Sequence, residues 1–136
     1  MIRNPTSIVP TEAVSLKKVP MGHPSGRHLL ADLFGVNSNK LTNKENLLDL
    51  FTTALKLAGC TILSNTSHKF PGESAGVTGL ILLSESHASF HTYPEHEFLA
   101  MDVFVCGQVD PNDVLSHIAE NLSPEKIVSK IERRGM

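Results

Sequence analysis

A dense patch of reactive side chains follows one short apolar run. Leu80 to Leu83 is an apolar run that drives into Ser84, Glu85, Ser86, His87, Ser89, His91, Thr92 and Glu95. A short apolar run bounded by polar residues reads as a buried strand. A second run, Phe98 to Val105, ends at Cys106-Gly107. A serine, a histidine and a cysteine therefore stand near the ends of neighbouring candidate strands. A serine hydroxyl is a weak nucleophile unless it is activated or strained into position. An imidazole moves protons near neutral pH, and a thiol can deliver one. If His91 returns toward Ser86 on an antiparallel turn-back, the nucleophile has its proton acceptor.

A metal offers a different use for the same residues. His87, His91 and His96 with Glu95 and Glu97 supply ligand types that zinc accepts. His87 and His91 would share a face only on a helix, and the Ser-Phe and Thr-Tyr-Pro composition around them favours extended chain. No metal site is expected. On extended chain His87 points away from its neighbour Ser86, so it reads as structural, as do His28 and His68.

The elements that must position these groups follow from periodicity and punctuation. Arg27 to Phe34 reads as a first strand and Gly35 to Lys40 as a polar turn. Thr42-Asn43-Lys44-Glu45 fits a capping box, with Thr42 as N-cap. Leu47, Leu48, Phe51, Ala54, Leu55 and Ala58 then form one helical face, and Gly59 ends it. Cys60 reads as a small buried hydrophobe. Thr61 to Phe70, Val77 to Ser84, Ser89 to Tyr93 and Phe98 to Val105 are the next four strands, with Pro71 to Gly76 a loop. Asp110-Pro111 opens a second helix as cap and first-turn proline; Val114, Leu115, Ile118, Ala119 and Leu122 are its apolar face. Lys126 to Arg133 reads as an edge strand. Closely spaced strands favour antiparallel pairing. The fold class is α+β: a two-layer sandwich, its antiparallel sheet covered on one face by two helices.

The 136 residues suit one domain over 26–136. Residues 1–25, with four prolines and poor periodicity, read as a flexible tail. A net charge of −2 gives no reason to expect nucleic acid or an anionic membrane as partner. Two cysteines make no disulfide framework, so a reduced, cytoplasmic setting is expected. No apolar run approaches the ~20 residues of a membrane span.

Glu85-Ser86-His87, His91-Thr92-Tyr93-Pro94-Glu95 and Asp102-Val103-Phe104-Val105-Cys106-Gly107 resemble the bacterial and archaeal S-adenosylmethionine decarboxylases. Gly26-Arg27-His28 and His68-Lys69-Phe70 match as well. The resemblance spans residues 26 to 120 and rests on the order and spacing of the pieces together. It implies a proenzyme that cuts its own backbone between Glu85 and Ser86, turning Ser86 into a pyruvoyl group. Loss of carbon dioxide from an amino acid leaves electrons that ordinary side chains cannot hold, so a cofactor takes them. A pyruvoyl ketone would do so through a Schiff base with the substrate amine. It further implies that His91 and Thr78 assist processing and that Cys106 protonates the product carbanion. Phe70, Tyr93 and Glu95 would hold the nucleoside of S-adenosylmethionine on the way to spermidine, and protomers would pair as homodimers sharing residues between sites. Thr78 stands where the family usually has serine, Tyr93 where it commonly has tryptophan, and the loop after Phe70 is slightly longer. Relatives on the same scaffold decarboxylate arginine or ornithine, and the core motif is common to all three.

Overall fold

In a computed structural model, which describes residues 25–135, the sequence folds as β1 (Gly26–Phe34), α1 (Lys44–Leu57), β2 (Ile62–Lys69), β3 (Val77–Leu83), β4 (Ser86–Tyr93), β5 (Phe98–Cys106), α2 (Pro111–Leu122) and β6 (Lys126–Arg134). The flexible tail expected over 1–25 lies outside the described residues apart from Ser25. Single-turn 3-10 helices at Ser38–Leu41 and Pro94–His96 complete the order. The six strands form one sheet in the order β2-β3-β4-β5-β1-β6, antiparallel throughout. Among the described residues no helix is long and apolar enough to cross a membrane.

Both helices pack on one face. α1 lies over β2 and β3, α2 lies over β1 and β5, and the two touch each other. The strands alternate accordingly: Leu29, Ala31 and Leu33, Val77, Ile81 and Leu83, Ala88 and Phe90, and Leu99, Met101, Val103 and Val105 all point under the helices. This is the period of two that puts successive side chains on opposite faces. Phe51 of α1 stacks on Phe90 of β4 at 4.3 Å between centroids, an arrangement worth ~0.5–1.5 kcal/mol beyond the area it buries. Gly79 lies beside that ring, and a Cβ there would run into it.

The helix ends follow local chemistry. Asp110 caps α2 by accepting from Asn112 N, with Pro111 at the first position, as expected. The cap of α1 is Asn43, which accepts from Asn46 N at 2.9 Å. The capping box at Thr42 is not formed: the Thr42 hydroxyl donates back to Asn39 O across the Ser38–Leu41 turn. That turn, which the polar composition hid, uses Leu41 as a buried anchor; Thr92 Oγ1 donates to Leu41 O at 2.7 Å. Cys60 is half-buried at the margin of the core rather than inside it.

Among the described residues the second face of the sheet carries no helix. Its rows, read from the register, are Leu82–His87–Phe104–His28, then Leu80–Ser89–Asp102–Leu30, then Thr78–His91–Ala100–Asp32, then Tyr93–Phe98–Phe34. Leu80 (51%), Leu82 (53%), Leu30 (41%) and Val128 (50%) are exposed on it. Large apolar side chains exposed together on one face commonly mark an interaction site.

Candidate active site

The reactive residues fall into two groups at opposite ends of the sheet. The first surrounds the β3–β4 hairpin. Leu83 pairs with Ser86, so Ser84 and Glu85 form a two-residue turn. Turns of this length need left-handed backbone, and Glu85 supplies it with φ +58°. A residue with a Cβ pays ~1–2 kcal/mol for that conformation. The strain therefore sits on the residue just before Ser86. Cys106, at the end of β5, donates its thiol to the Glu85 carbonyl at 3.5 Å. Ser86 and Cys106 line one small cavity of about 160 Å³, together with Cys60 and Val109. Burial pushes the Cys60 thiol up, which keeps it in its unreactive form.

The second group lies where β2, β3 and β4 end. Phe70, Thr78, His91, Tyr93 and Glu95 line a cavity of about 540 Å³. Thr78 Oγ1 and His91 Nδ1, opposite each other in the register, share a hydrogen bond of 3.0 Å. His68 meets Phe70 edge-on at 4.8 Å. Tyr93 stacks on Phe98, which stacks on Phe34, so its ring is the first step of an aromatic ladder across three strands. Glu95 is exposed in the Pro94–His96 turn.

The structure overturns the turn-back expected between Ser86 and His91. β4 begins at Ser86 rather than Ser89 and runs unbroken to Tyr93. Five residues of strand separate the two by about 16–17 Å. Their odd spacing also puts Ser86 on the helix side and His91 on the open side. Within one protomer His91 cannot touch Ser86.

Between the groups lies a cluster that no short motif announces. Asp102 Oδ2 accepts from His28 Nε2 at 2.6 Å and lies 3.4 Å from His87 Nε2, while Ser89 donates to Oδ1. Burial alone would raise the Asp102 carboxyl; the hydrogen bonds from Ser89 and His28 and the nearby imidazoles outweigh it and hold the group below its usual range. Three potential ligands, two imidazoles and a carboxylate, thus meet within 4.8 Å, but not as a metal site. Two atoms sharing one zinc-sized ion stand about 3 Å or more apart when each bond is ~2.0–2.2 Å. The His28–Asp102 contact is shorter than that and is a hydrogen bond. The set His87, His91, His96, Glu95 and Glu97 is not brought together: His87 belongs to this cluster, and His91 pairs with Thr78. His28 and His87, read from the sequence as structural, meet at Asp102 as a shared partner.

An antiparallel sheet with two helices on one face, a strained Glu-Ser hairpin under a thiol, and a remote His-hydroxyl pair together define the protein's class. A profile described as S-adenosylmethionine decarboxylase matches residues 27–135. The S-adenosylmethionine decarboxylase proenzyme of Persephonella marina is 41% identical over 111 residues, 81% of this chain and 82% of its own. That of Aquifex aeolicus is 38% identical over 119 residues, 85% of each, and one from Methanococcus maripaludis is 39% identical over 112, 82% of this chain and 90% of its own. The crystal structure of the Aquifex aeolicus adenosylmethionine decarboxylase superposes with a TM-score of 0.75 at 35% identity, covering 83% of this chain and 92% of that one. A Trypanosoma brucei structure shares the fold at 14% identity, with a TM-score of 0.57 over 77% of this chain and 45% of that one. The chain belongs to the S-adenosylmethionine decarboxylase family.

Proposed function

We propose that the protein is a self-processing decarboxylase of S-adenosylmethionine, and that Ser86 is the source of its pyruvoyl group. The observation that carries this is the hairpin: a left-handed Glu85 whose carbonyl receives the Cys106 thiol, with Ser86 next in the chain. The names of the relatives support the substrate and the proenzyme state. No observation favours arginine or ornithine.

Processing begins with the Ser86 hydroxyl adding to the Glu85 carbonyl carbon. The Cys106 thiol stands at the carbonyl oxygen on which charge develops, where a donor counts most. The carbon–nitrogen bond breaks as the hydroxyl proton passes to the Ser86 nitrogen, which becomes a free amine, and Glu85 is left as an ester on the Ser86 oxygen. A base then removes the Ser86 α-proton; the ester leaves as the Glu85 carboxylate, and a double bond forms in residue 86. Water replaces the amine, ammonia departs, and a ketone remains at the head of the 86–136 fragment. When present, that ketone supplies the electron sink for decarboxylation.

His91 suits the base. Thr78 occupies Nδ1, so proton transfer falls to Nε2. It must act on a partner's serine, because its own is out of reach. A two-fold axis near Ser89 and Asp102, between the two groups, would exchange the ends of the sheet and set the Thr78–His91 pair of one protomer against the Ser86–Cys106 hairpin of the other. The same contact would cover Leu30, Leu80, Leu82 and Val128, and closed two-fold pairing is the commonest way to bury such a surface. Phe70 and Tyr93 would then receive the adenine and Glu95 the sugar hydroxyls, next to the partner's Ser86.

Intact-mass measurement tests the first step. Purified protein should give fragments 1–85 and 86–136, the smaller without a free amine, and Ser86→Ala should stay whole and inactive. Full-length protein that turns over S-adenosylmethionine would refute the mechanism.

A further inference from the structure

Lys69 closes β2 immediately before Phe70, at the edge of the cavity that contains His91 and Glu95. A lysine in that place reads first as a counterion for the substrate carboxylate. Its contacts say otherwise. Nζ donates to the backbone carbonyls of Ala75 at 2.7 Å, Gly72 at 2.9 Å and Glu73 at 3.4 Å. An ammonium has three N–H donors, and all three are engaged within the loop 71–76. None remains for a ligand.

That loop would be loose without the lysine. Pro71, Gly72, Gly76 and three short polar or small residues offer no apolar anchor of their own. Two backbone bonds close it, Phe70 N to Gly76 O at 3.0 Å and Ala75 N to Gly72 O at 3.2 Å. Gly76 then passes so close to the Thr92 carbonyl that no side chain fits between them. Ala75 and Gly76 are part of the cavity wall, opposite Tyr93 and Glu95. Lys69 therefore fixes one wall of the pocket from outside it, and the position of Phe70 with it.

We propose that Lys69 is a positioning residue for the substrate pocket, its ammonium clasping three carbonyls of loop 71–76 so that Phe70, Ala75 and Gly76 present a preformed wall to the nucleoside end of the substrate. The inference rests on the reading that this cavity receives S-adenosylmethionine. Binding to a preformed wall avoids the cost of ordering the loop at each encounter, so the clasp acts on affinity rather than on the chemical step.

Lys69→Met keeps the stem and removes the donors. The expected result is a KM for S-adenosylmethionine raised about tenfold, equivalent to about 1.4 kcal/mol, with kcat and the extent of self-cleavage within about twofold of wild type. Unimpaired self-cleavage also reports an intact fold. Lys69→Arg keeps the charge, but a planar fork cannot converge on three carbonyls as an ammonium does; partial rescue is expected. An unchanged KM in Lys69→Met overturns the clasp, and so does full rescue by Lys69→Arg, which would assign a bare charge. Amide exchange provides a second measurement that needs no substrate. The Phe70 and Ala75 amides should exchange at least about tenfold faster in Lys69→Met, since both bonds belong to the clasped loop; unaltered exchange overturns the clasp. If wild-type protein fails to turn over S-adenosylmethionine, the proposed function fails, and the exchange comparison still decides the role of Lys69.

Discussion

The two ends of the sheet are built in opposite ways. At the Ser86 end the chain is tight: a two-residue turn, a left-handed Glu85 and a cavity of about 160 Å³. At the His91 end it is open: a cavity of about 540 Å³ walled by a six-residue loop. The tight end can hold a bond under strain but has no base. The open end has room for a nucleoside and an imidazole but has no nucleophile. Strand β4 joins them and holds them apart, because an extended chain neither bends nor shortens. On the proposed reading each end is half of a site, and the exposed apolar face between them would be the surface through which two protomers supply both halves.

The strongest way to break that comparison is to put each half on a different chain. Ser86→Ala and His91→Ala should each fail to cleave when expressed alone. Co-expressed and randomly paired, half the dimers are mixed, and each mixed dimer has one site with a wild-type Ser86 facing a wild-type His91. Cleavage and decarboxylation should rise from nothing to about a quarter of wild type, the fraction expected for a two-fold pair. If each protomer processes itself, the mixture stays dead. Light scattering on the same sample gives the assembly state.

Next in size is Cys106→Ala. General acid–base groups contribute ~10²–10⁴-fold, and turnover should fall within that range. The thiol also contacts the Glu85 carbonyl, so cleavage should slow as well, by less. Chromatographic separation of fragments gives the cleavage rate, and carbon dioxide release gives turnover. Undiminished turnover would remove the cysteine from the chemistry and leave the tight end with a turn only.

Asp102→Asn probes the ground between the ends. Ser89 and His28 donate to a half-buried carboxylate with the His87 imidazole 3.4 Å away, and weakening these contacts should cost roughly 1–3 kcal/mol. The folded carboxyl lies below its ordinary value, so its stabilisation is complete above about pH 4, the unfolded value, and is lost as pH falls through the folded one. The difference between wild type and Asp102→Asn in denaturant melts of the Ser86→Ala protein should therefore be large at pH 7 and close toward pH 3. A difference that grows with acidity would mean that the carboxyl is protonated in the fold.

Much of this was legible in one chain, and the limits have physical causes. The apolar runs of β3 and β5 and the helical spacing of Leu47, Phe51, Ala54 and Leu55 marked the core. Ser86 and His91 stood out as polar groups after an apolar run, whereas Thr78, Phe70, Tyr93, Glu95 and the role of Cys106 came from the family resemblance; all of these residues line one of the two cavities. Their grouping was hidden by one boundary. With β4 starting at Ser89, a turn could fold His91 back; starting at Ser86, parity alone puts the two on opposite faces. The polar Ser84–His87 segment resembles a turn in composition, and pairing with Leu82 and Leu83 makes its second half strand. The Asp102 cluster joins residues 74 positions apart, and the Lys69 clasp depends on loop shape; neither leaves a local pattern.

The smallest expected effect is also the most local. Glu85 pays ~1–2 kcal/mol for its left-handed backbone. Glycine adopts that conformation freely but gives back ~0.5–1 kcal/mol through its extra freedom in the unfolded chain. Glu85→Gly, placed in Ser86→Ala so that the chain stays whole, should therefore stabilise the proenzyme by up to about 1.5 kcal/mol. The same substitution with Ser86 intact should slow cleavage modestly, because breaking the 85–86 bond no longer releases as much strain. Paired denaturation and cleavage time courses measure the two effects on one residue. A less stable Glu85→Gly protein would show that the Glu85 side chain, rather than its backbone, holds the turn, and the tight end would lose its strain.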